Sequence, residues 1–236
     1  MFYQSQRSNF DLARRRLVLS AGVLGLIGLL ELRFSRIASA ARNYVNSVDA
    51  LKEGIAKEAA AKNRYVQFGE LAKTEGYNGL AYLYTALATS ELIHAQNYTR
   101  VLATLGELVE IPKQSMPRLG NAKENLIFAA ESELRSIEKT YPALLNAVKA
   151  EGHADTIAVI QYSWASHKQH LEIIEKVRRW TPDFFESVAR KIDERTDHYF
   201  VCQVCGSTVT EVPQDACPVC KEPSSKYRLI PHDQFF

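Results

Sequence analysis

At 236 residues, 46% of them hydrophobic and 24% charged, the chain is too long for one small domain and too apolar for a disordered one. Its net charge is +2, but residues 1–40 hold six Arg against two acids, which leaves −2 for the remainder and no basic excess for binding nucleic acid. All four cysteines fall between Cys202 and Cys220, a clustering that reads as a metal site before it reads as scattered disulfides.

The N-terminal segment has the composition of an address. Arg14-Arg15-Arg16 precede an uncharged run of 14 residues, Leu17 to Leu30, shorter than the roughly 20 that a membrane-spanning helix needs. Glu31, Arg33 and Arg36 follow, and then Ala38-Ser39-Ala40, small residues at the positions a signal peptidase reads. The arginines and the moderately apolar, Gly-containing run resemble a twin-arginine signal, so residues 1–40 are expected to direct export to the periplasm with cleavage after Ala40. The alternative is an uncleaved anchor from Leu17 to Ile37, and a membrane is a partner only in that case.

A first helix is expected from Ser47, with Ser47 able to cap it and Leu51, Ile55, Glu58, Ala59, Lys62, Tyr65 and Leu71 spaced for one face. Glu75-Gly76-Tyr77-Asn78-Gly79 ends it in a tight turn. A second helix runs from Leu80 to Leu105, and the stretch from Gly106 to Gly120, with Pro112 and Pro117, reads as a crossover loop. A third helix is expected from Ala122 to Ala150, kinked or short of one hydrogen bond at Pro142. After Glu151-Gly152-His153-Ala154-Asp155, a fourth continues to Trp180, where Thr181-Pro182 stops it. The halves echo each other: Glu75-Gly76 recurs as Glu151-Gly152, His94-Ala95-Gln96 as His167-Lys168-Gln169, and Glu58 with Tyr65 as Glu133 with Tyr141, within one residue. Two antiparallel pairs joined by a crossover make an all-α four-helix bundle.

That bundle can focus ligands. Glu91-Leu92-Ile93-His94 puts a carboxylate and an imidazole on successive turns of one face, and the repeat adds Glu58, Glu133 and His167 from the other three helices. Carboxylates in an apolar core are costly unless they bind a cation, and oxygen with imidazole suits iron or manganese. The bland alternative leaves Glu58 and Glu133 on the surface, paired with Lys57, Lys62 or Arg135. In this register the partner of Glu91 is Trp164, which cannot ligate and would fill the space of a bridging carboxylate. Ser136 follows Glu133 by one turn, and Glu131, Glu138 and His170 are substitutes that each have a surface reading.

Cys202-x-x-Cys205-Gly206 and Cys217-Pro218-x-Cys220 form two knuckles whose thiolates can meet one metal, iron or zinc, with two disulfides as the alternative. Tyr199, Phe200, Tyr227 and Phe235-Phe236 could pack around that metal or make a dimer contact.

From about residue 44 to 230, the chain resembles the rubrerythrin family. The likeness rests on Leu51 to Tyr65 with Glu58, on Glu75-Gly76-Tyr77-Asn78, on Glu91-Leu92-Ile93-His94-Ala95, on Asn125 to Pro142 and on the Cys202 to Cys220 knuckles. The resemblance implies a ferritin-like bundle at 44–180, a linker at 181–197 and a rubredoxin-like metal-knuckle β domain at 198–236. It implies two irons in the bundle that react with hydrogen peroxide, and a tetrathiolate iron on Cys202, Cys205, Cys217 and Cys220 that passes electrons in. Glu58 and Glu133 would be terminal carboxylates, Glu91 a bridge, His94 and His167 imidazole ligands, and Tyr65 and Tyr141 hydrogen-bond donors to them. It further implies a homodimer served by an electron-donor protein. Trp164 stands where the family has its second bridging Glu and Ser136 where it has a further terminal Glu. Two, one or no bundle metals, and an electron-transfer, iron-handling or structural zinc protein, stay open beside the peroxidase.

Overall fold

Two helical hairpins with the same polar devices at the same places build the bundle. The computed structural model describes residues 43–109, 120–178 and 198–232; the expected signal segment, the middle of the crossover, the expected helix end at Trp180 with the linker 181–197, and Phe235-Phe236 lie outside the described residues. Helix α1 (Val45–Thr74) and α2 (Asn78–Thr104) form the first hairpin. The second is α3 (Ala122–Arg135), a π turn (Ser136–Thr140) and α4 (Tyr141–Val148), packed against α5 (Ala154–Arg178). A three-stranded antiparallel sheet follows in the order β2-β1-β3, with β1 at Phe200–Cys202, β2 at Thr208–Val209 and β3 at Tyr227–Leu229. From Tyr44 onward, helices and sheet belong to one compact unit. No described helix is long and apolar enough to cross a membrane.

The repeated Glu-Gly dipeptide has a physical purpose. Gly76 (φ +87°) and Gly152 (φ +64°) take the left-handed conformation that ends α1 and α4, which a side chain would resist. The Glu before each glycine caps a helix of the other hairpin. Glu151 accepts from the Asn46 amide (2.7 Å), the Ser47 amide (2.8 Å) and the Ser47 hydroxyl (2.7 Å) at the start of α1. Glu75 accepts from the Ala122 amide (3.0 Å) at the start of α3, beside the Asn121–Glu124 capping box. Each carboxylate meets the unpaired amides and positive end of a helix dipole. The expected cap by Ser47 is therefore corrected: α1 starts two residues earlier, and Ser47 is a donor to Glu151.

Apolar residues gather in two layers. One, with Tyr65, Phe68, Leu83, Tyr84, Leu87 and Leu126, takes the C-terminal part of α1 and the N-terminal parts of α2 and α3. The other, with Leu51, Ile55, Tyr98, Leu102, Leu144 and Ile160, takes the opposite ends of the helices. Between them every helix contributes polar side chains to a middle layer.

The single expected third helix is interrupted. Glu58 and Tyr65 are seven positions apart but Glu133 and Tyr141 eight, so a regular helix would misplace one of the second pair. The π turn at Ser136–Thr140 absorbs the extra residue, and Pro142, which has no amide to donate, sits in the first turn beyond it. Glu151→Ala should lower unfolding free energy by about 1 kcal/mol, the worth of a helix cap, in denaturant titration. Unchanged stability would contradict the capping role.

Candidate metal centre

The middle layer brings together the five ligands expected from the repeat, Glu58, Glu91, His94, Glu133 and His167, and of the substitutes weighed it adds His170. Glu58 is 3% exposed, Glu133 2%, His167 4%, His94 1%, and Glu91 and His170 are fully buried. The surface reading of Glu58 and Glu133 is thereby excluded, and Lys57 pairs instead with Glu53 (3.5 Å). Two donor quartets form, Glu58-Glu91-His94-His167 and Glu91-Glu133-His167-His170, and in each the ligating atoms lie within 4.8 Å of one another. Glu131 and Glu138 are exposed and take no part.

The register inferred from His94-Ala95-Gln96 and His167-Lys168-Gln169 is off by one turn. In space Ser90, Glu91 and His94 of α2 match Ser166, His167 and His170 of α5, each 76 positions on, the same offset as Glu75 to Glu151. Glu91 is thus answered by His167, not by Trp164. The Trp164 indole leaves the site and donates to the Ile137 carbonyl in the π turn (3.0 Å), with the Lys168 ammonium over its ring. It fills no bridging space. His170, weighed above as a substitute ligand with a surface alternative, is a full member of the cluster.

Tyrosines cross-brace the carboxylates. The Tyr65 hydroxyl of α1 donates to Glu133 of α3, and Tyr141 of α4 donates back to Glu58 of α1 (2.9 Å). Burial, reinforced by these carboxylates, pushes both phenols well above their ordinary pKa and keeps them protonated.

Hydrogen bonds assign two ring tautomers. Ser90 donates its only hydroxyl proton to the Gly206 carbonyl (2.6 Å), and Ser166 does the same (2.8 Å). Their oxygens are left to accept from Nε2–H of His94 (3.5 Å) and of His170 (3.4 Å). Both rings therefore turn an Nδ1 lone pair inward, as a metal-ligating histidine tied from outside does. Inside, acceptors face acceptors: His94 Nδ1 lies 3.0 Å from Glu91 Oε2 and 3.9 Å from Glu58 Oε2. Glu91 Oε1, Glu133 Oε2, both nitrogens of His167 and Nδ1 of His170 are buried without a hydrogen-bond partner among the described residues. Converging oxygen and nitrogen donors in a buried layer need positive charge among them, a proton or a metal ion, and hard oxygens with imidazoles are a donor set that fits metal.

Protons respond to the same field. Burial opposes a charge on His167, but Glu133 and Glu91 outweigh it and raise the ring well above its ordinary value. Burial would likewise raise Glu133 and Glu91; His167 and His170 instead pull Glu133 down to about 2 and Glu91 well below the carboxylate range. Glu58 goes up, chiefly from burial and then from the repulsion of Glu91.

A cleft of about 220 Å³ reaches the layer from outside, past Lys57, Arg64, Arg135 and Ser136 to Glu58, Glu133 and His167. On the opposite side lies the knuckle. Its four sulfurs fall within 4.8 Å of one another, with Cys202–Cys220 at 3.8 Å and Cys205–Cys217 at 3.5 Å. That is too long for disulfides and close to the edge of about 3.8 Å in a tetrahedron with metal–sulfur bonds of about 2.3 Å. Tyr227 donates to Cys217 Sγ (3.3 Å), whereas Tyr199 packs on Tyr82 of the bundle, so the supposed aromatic shell is divided between two jobs.

A helical bundle with a buried carboxylate–imidazole layer and a four-cysteine sheet defines a ferritin-like metalloprotein with a knuckle appended. Residues 49–178 match the family model described as rubrerythrin, and the chain belongs to the rubrerythrin family of non-haem iron proteins. Nigerythrin of Nitratidesulfovibrio vulgaris is 25% identical over 82% of this chain and 91% of its own length. Rubrerythrin-2 of Clostridium acetobutylicum is 26% identical over 78% and 96%. The rubrerythrin of Porphyromonas gingivalis is 29% identical over 73% and 84%. Among solved structures, fully reduced, all-ferrous nigerythrin superposes with a TM-score of 0.66 at 25% identity, over 78% of this chain and 86% of that one. The bacterioferritin of Desulfovibrio desulfuricans, at 0.60 and 19% identity over 65% and 90%, shares the fold.

Metal must displace the proton that the carboxylates hold on His167. Affinity for a first divalent cation should therefore rise with pH up to the raised pKa of that ring and level off above it, with proton release seen by calorimetry in buffers of different ionisation enthalpy. An affinity independent of pH across neutrality would contradict the assignment.

Proposed function

We propose that the chain is an oxidoreductase that reduces hydrogen peroxide at non-haem iron in the bundle, fed by an iron on the four thiolates. The observation that carries this reading is the seat of the Cys205-Gly206 turn. Its Gly206 carbonyl accepts from Ser90 and Ser166 together, and those hydroxyls are the ones that hold His94 and His170. Gly206 has φ +80°, and a Cβ there would collide with the His94 ring. Further hydrogen bonds fix the dock: Asn97 to the Val204 carbonyl (2.7 Å), Ser207 to Gln169 (2.9 Å) and Tyr82 to the Ile230 carbonyl (2.8 Å). An electron leaving Cys205 thus has a route of one peptide and one hydroxyl to a bundle histidine.

Iron held by the cluster would supply the two electrons that, with two protons, convert hydrogen peroxide to two waters. The protein's part is access and protons. Ser132, Ser136 and Thr140 line the cleft with hydroxyls that suit a small polar substrate, and Tyr65 and Tyr141 keep their phenol protons against the carboxylates. An electron-donor protein outside the chain refills the knuckle. A second reading, electron transfer or iron handling without peroxide turnover, draws support from Ser136, which stands where the family resemblance implies a carboxylate, and from His167, an imidazole where the corrected register answers the carboxylate of Glu91. Residues 1–40 are proposed to export the protein; N-terminal sequencing of the exported form should begin at Ala41, and a full-length cytosolic protein would contradict this.

The iron-loaded, reduced protein should consume peroxide as the red ferric tetrathiolate absorbance returns, whereas no consumption would remove the enzymatic reading and a colourless zinc knuckle the relay. Gly206→Ala should slow that return at least about tenfold, by lifting the knuckle off His94, with metal content per chain unchanged. A normal rate in this variant would show that electrons take another path.

A further inference from the structure

His167 faces two ways. Its Nε2 lies 3.4 Å from Glu58 Oε2 and 3.2 Å from Glu91 Oε2, whereas its Nδ1 lies 2.5 Å from Glu133 Oε2. Two nitrogens on different edges of one imidazole cannot reach the same ion. Glu91 is divided in the same manner: Oε2 meets His94 Nδ1 at 3.0 Å, and Oε1 meets His170 Nδ1 at 3.4 Å. The two quartets share Glu91 and His167 as residues, with a different atom of each turned to either side.

The three histidines also differ in what holds them. His94 and His170 each spend Nε2 on a serine that is itself bound to Gly206, so each has one nitrogen left for the site. Thr208 adds a second tie to His170 Nε2 (3.3 Å). His167 has no such outer tie among the described residues: both nitrogens are buried and face only the carboxylates of the cluster, and the Tyr141 ring packs edge-on against it at 4.9 Å. A metal-bound histidine ordinarily uses its second nitrogen for an outer hydrogen bond, and this one has only a second donor group to face.

We propose that His167 is a bridging ligand, its ring joining two bundle metal ions of which one is held with Glu58, Glu91 and His94 and the other with Glu91, Glu133 and His170. This rests on the metal-binding reading above and replaces the second carboxylate bridge implied by the family resemblance with an imidazole. Loading both ions sends the ring's N–H proton to solvent and leaves an imidazolate. Three carboxylates and one imidazolate then carry four negative charges, the number that two divalent ions neutralise in a buried layer. His94 and His170 become terminal ligands, one on each ion.

The test uses the full chain with its knuckle filled and Mn(II) as the probe, a hard ion that thiolates bind poorly. Two Mn(II) per chain are expected in the bundle, the second abolishing the isolated-ion paramagnetic resonance signal of the first. His170→Gln should hold one Mn(II) with an isolated signal, whereas His167→Ala should weaken both ions at least about tenfold. One ion in the wild type, or loss of a single ion in His167→Ala, overturns the bridge. Should His167→Ala fail to fold, a crystal of the Mn(II)-loaded wild type decides: anomalous peaks on both edges of the His167 ring support the proposal, and one peak contradicts it. The outcome is separable from the catalytic reading, because two coupled ions without peroxide turnover would leave the bridge and remove the peroxidase.

Discussion

Three carboxylates inside an apolar bundle are the constraint that the rest of the structure answers to. Glu58, Glu91 and Glu133 sit between two hydrophobic layers, nearly all out of reach of solvent and with no lysine or arginine in the cluster to pair them. A buried charge without a counter-charge costs several kcal/mol even after relaxation, and here three carboxylates have only the histidines to answer them. Three histidines and two tyrosines are what the fold supplies, and they differ in kind. The tyrosines donate protons to the carboxylates; His94 and His170, held from outside by serines, turn lone pairs toward them. A layer of that composition is stable with cations and strained without them.

Pseudo-twofold symmetry is how the fold assembles the layer, and it reaches beyond the ligands. Glu75 and Glu151 cap helices across the two hairpins, Tyr65 and Tyr141 brace carboxylates across them, and Ser90 and Ser166 converge on a single carbonyl. The knuckle breaks the symmetry by docking where the two serines meet, which aligns the four thiolates with both halves of the site at once. Departures from exact repetition mark function. The π turn keeps Tyr141 in place despite an inserted residue, and His167 takes the position that answers Glu91.

Much of this was legible in the sequence, for identifiable reasons. Glu58, Glu91, His94 and Glu133 stood out because helical spacing and repetition at matching offsets are strong signals in a bundle, and the knuckle spacing leaves little choice of geometry. His170 was less legible. A shift of three residues keeps a side chain on the same helical face, so periodicity could not choose between pairing His94 with His167 or with His170. The Gln shared by the motifs His94-Ala95-Gln96 and His167-Lys168-Gln169 favoured the wrong register, and Trp164 then fell in the place of Glu91. The Ser90–Ser166 pair would have settled it, since a serine one residue before Glu91 and one before His167 fixes the 76-residue offset. The capping carboxylates were visible as a repeat, but their role lies in contacts across the hairpins that no local pattern encodes.

The measurement that bears most directly on the buried layer as a cation cage is iron content per chain, set against the visible spectrum of the same sample. Three irons are predicted, one accounting for the red tetrathiolate absorbance and two for the bundle. A single iron, all of it explained by the thiolate spectrum, in a chain whose unfolding does not change on adding metal, would contradict the account.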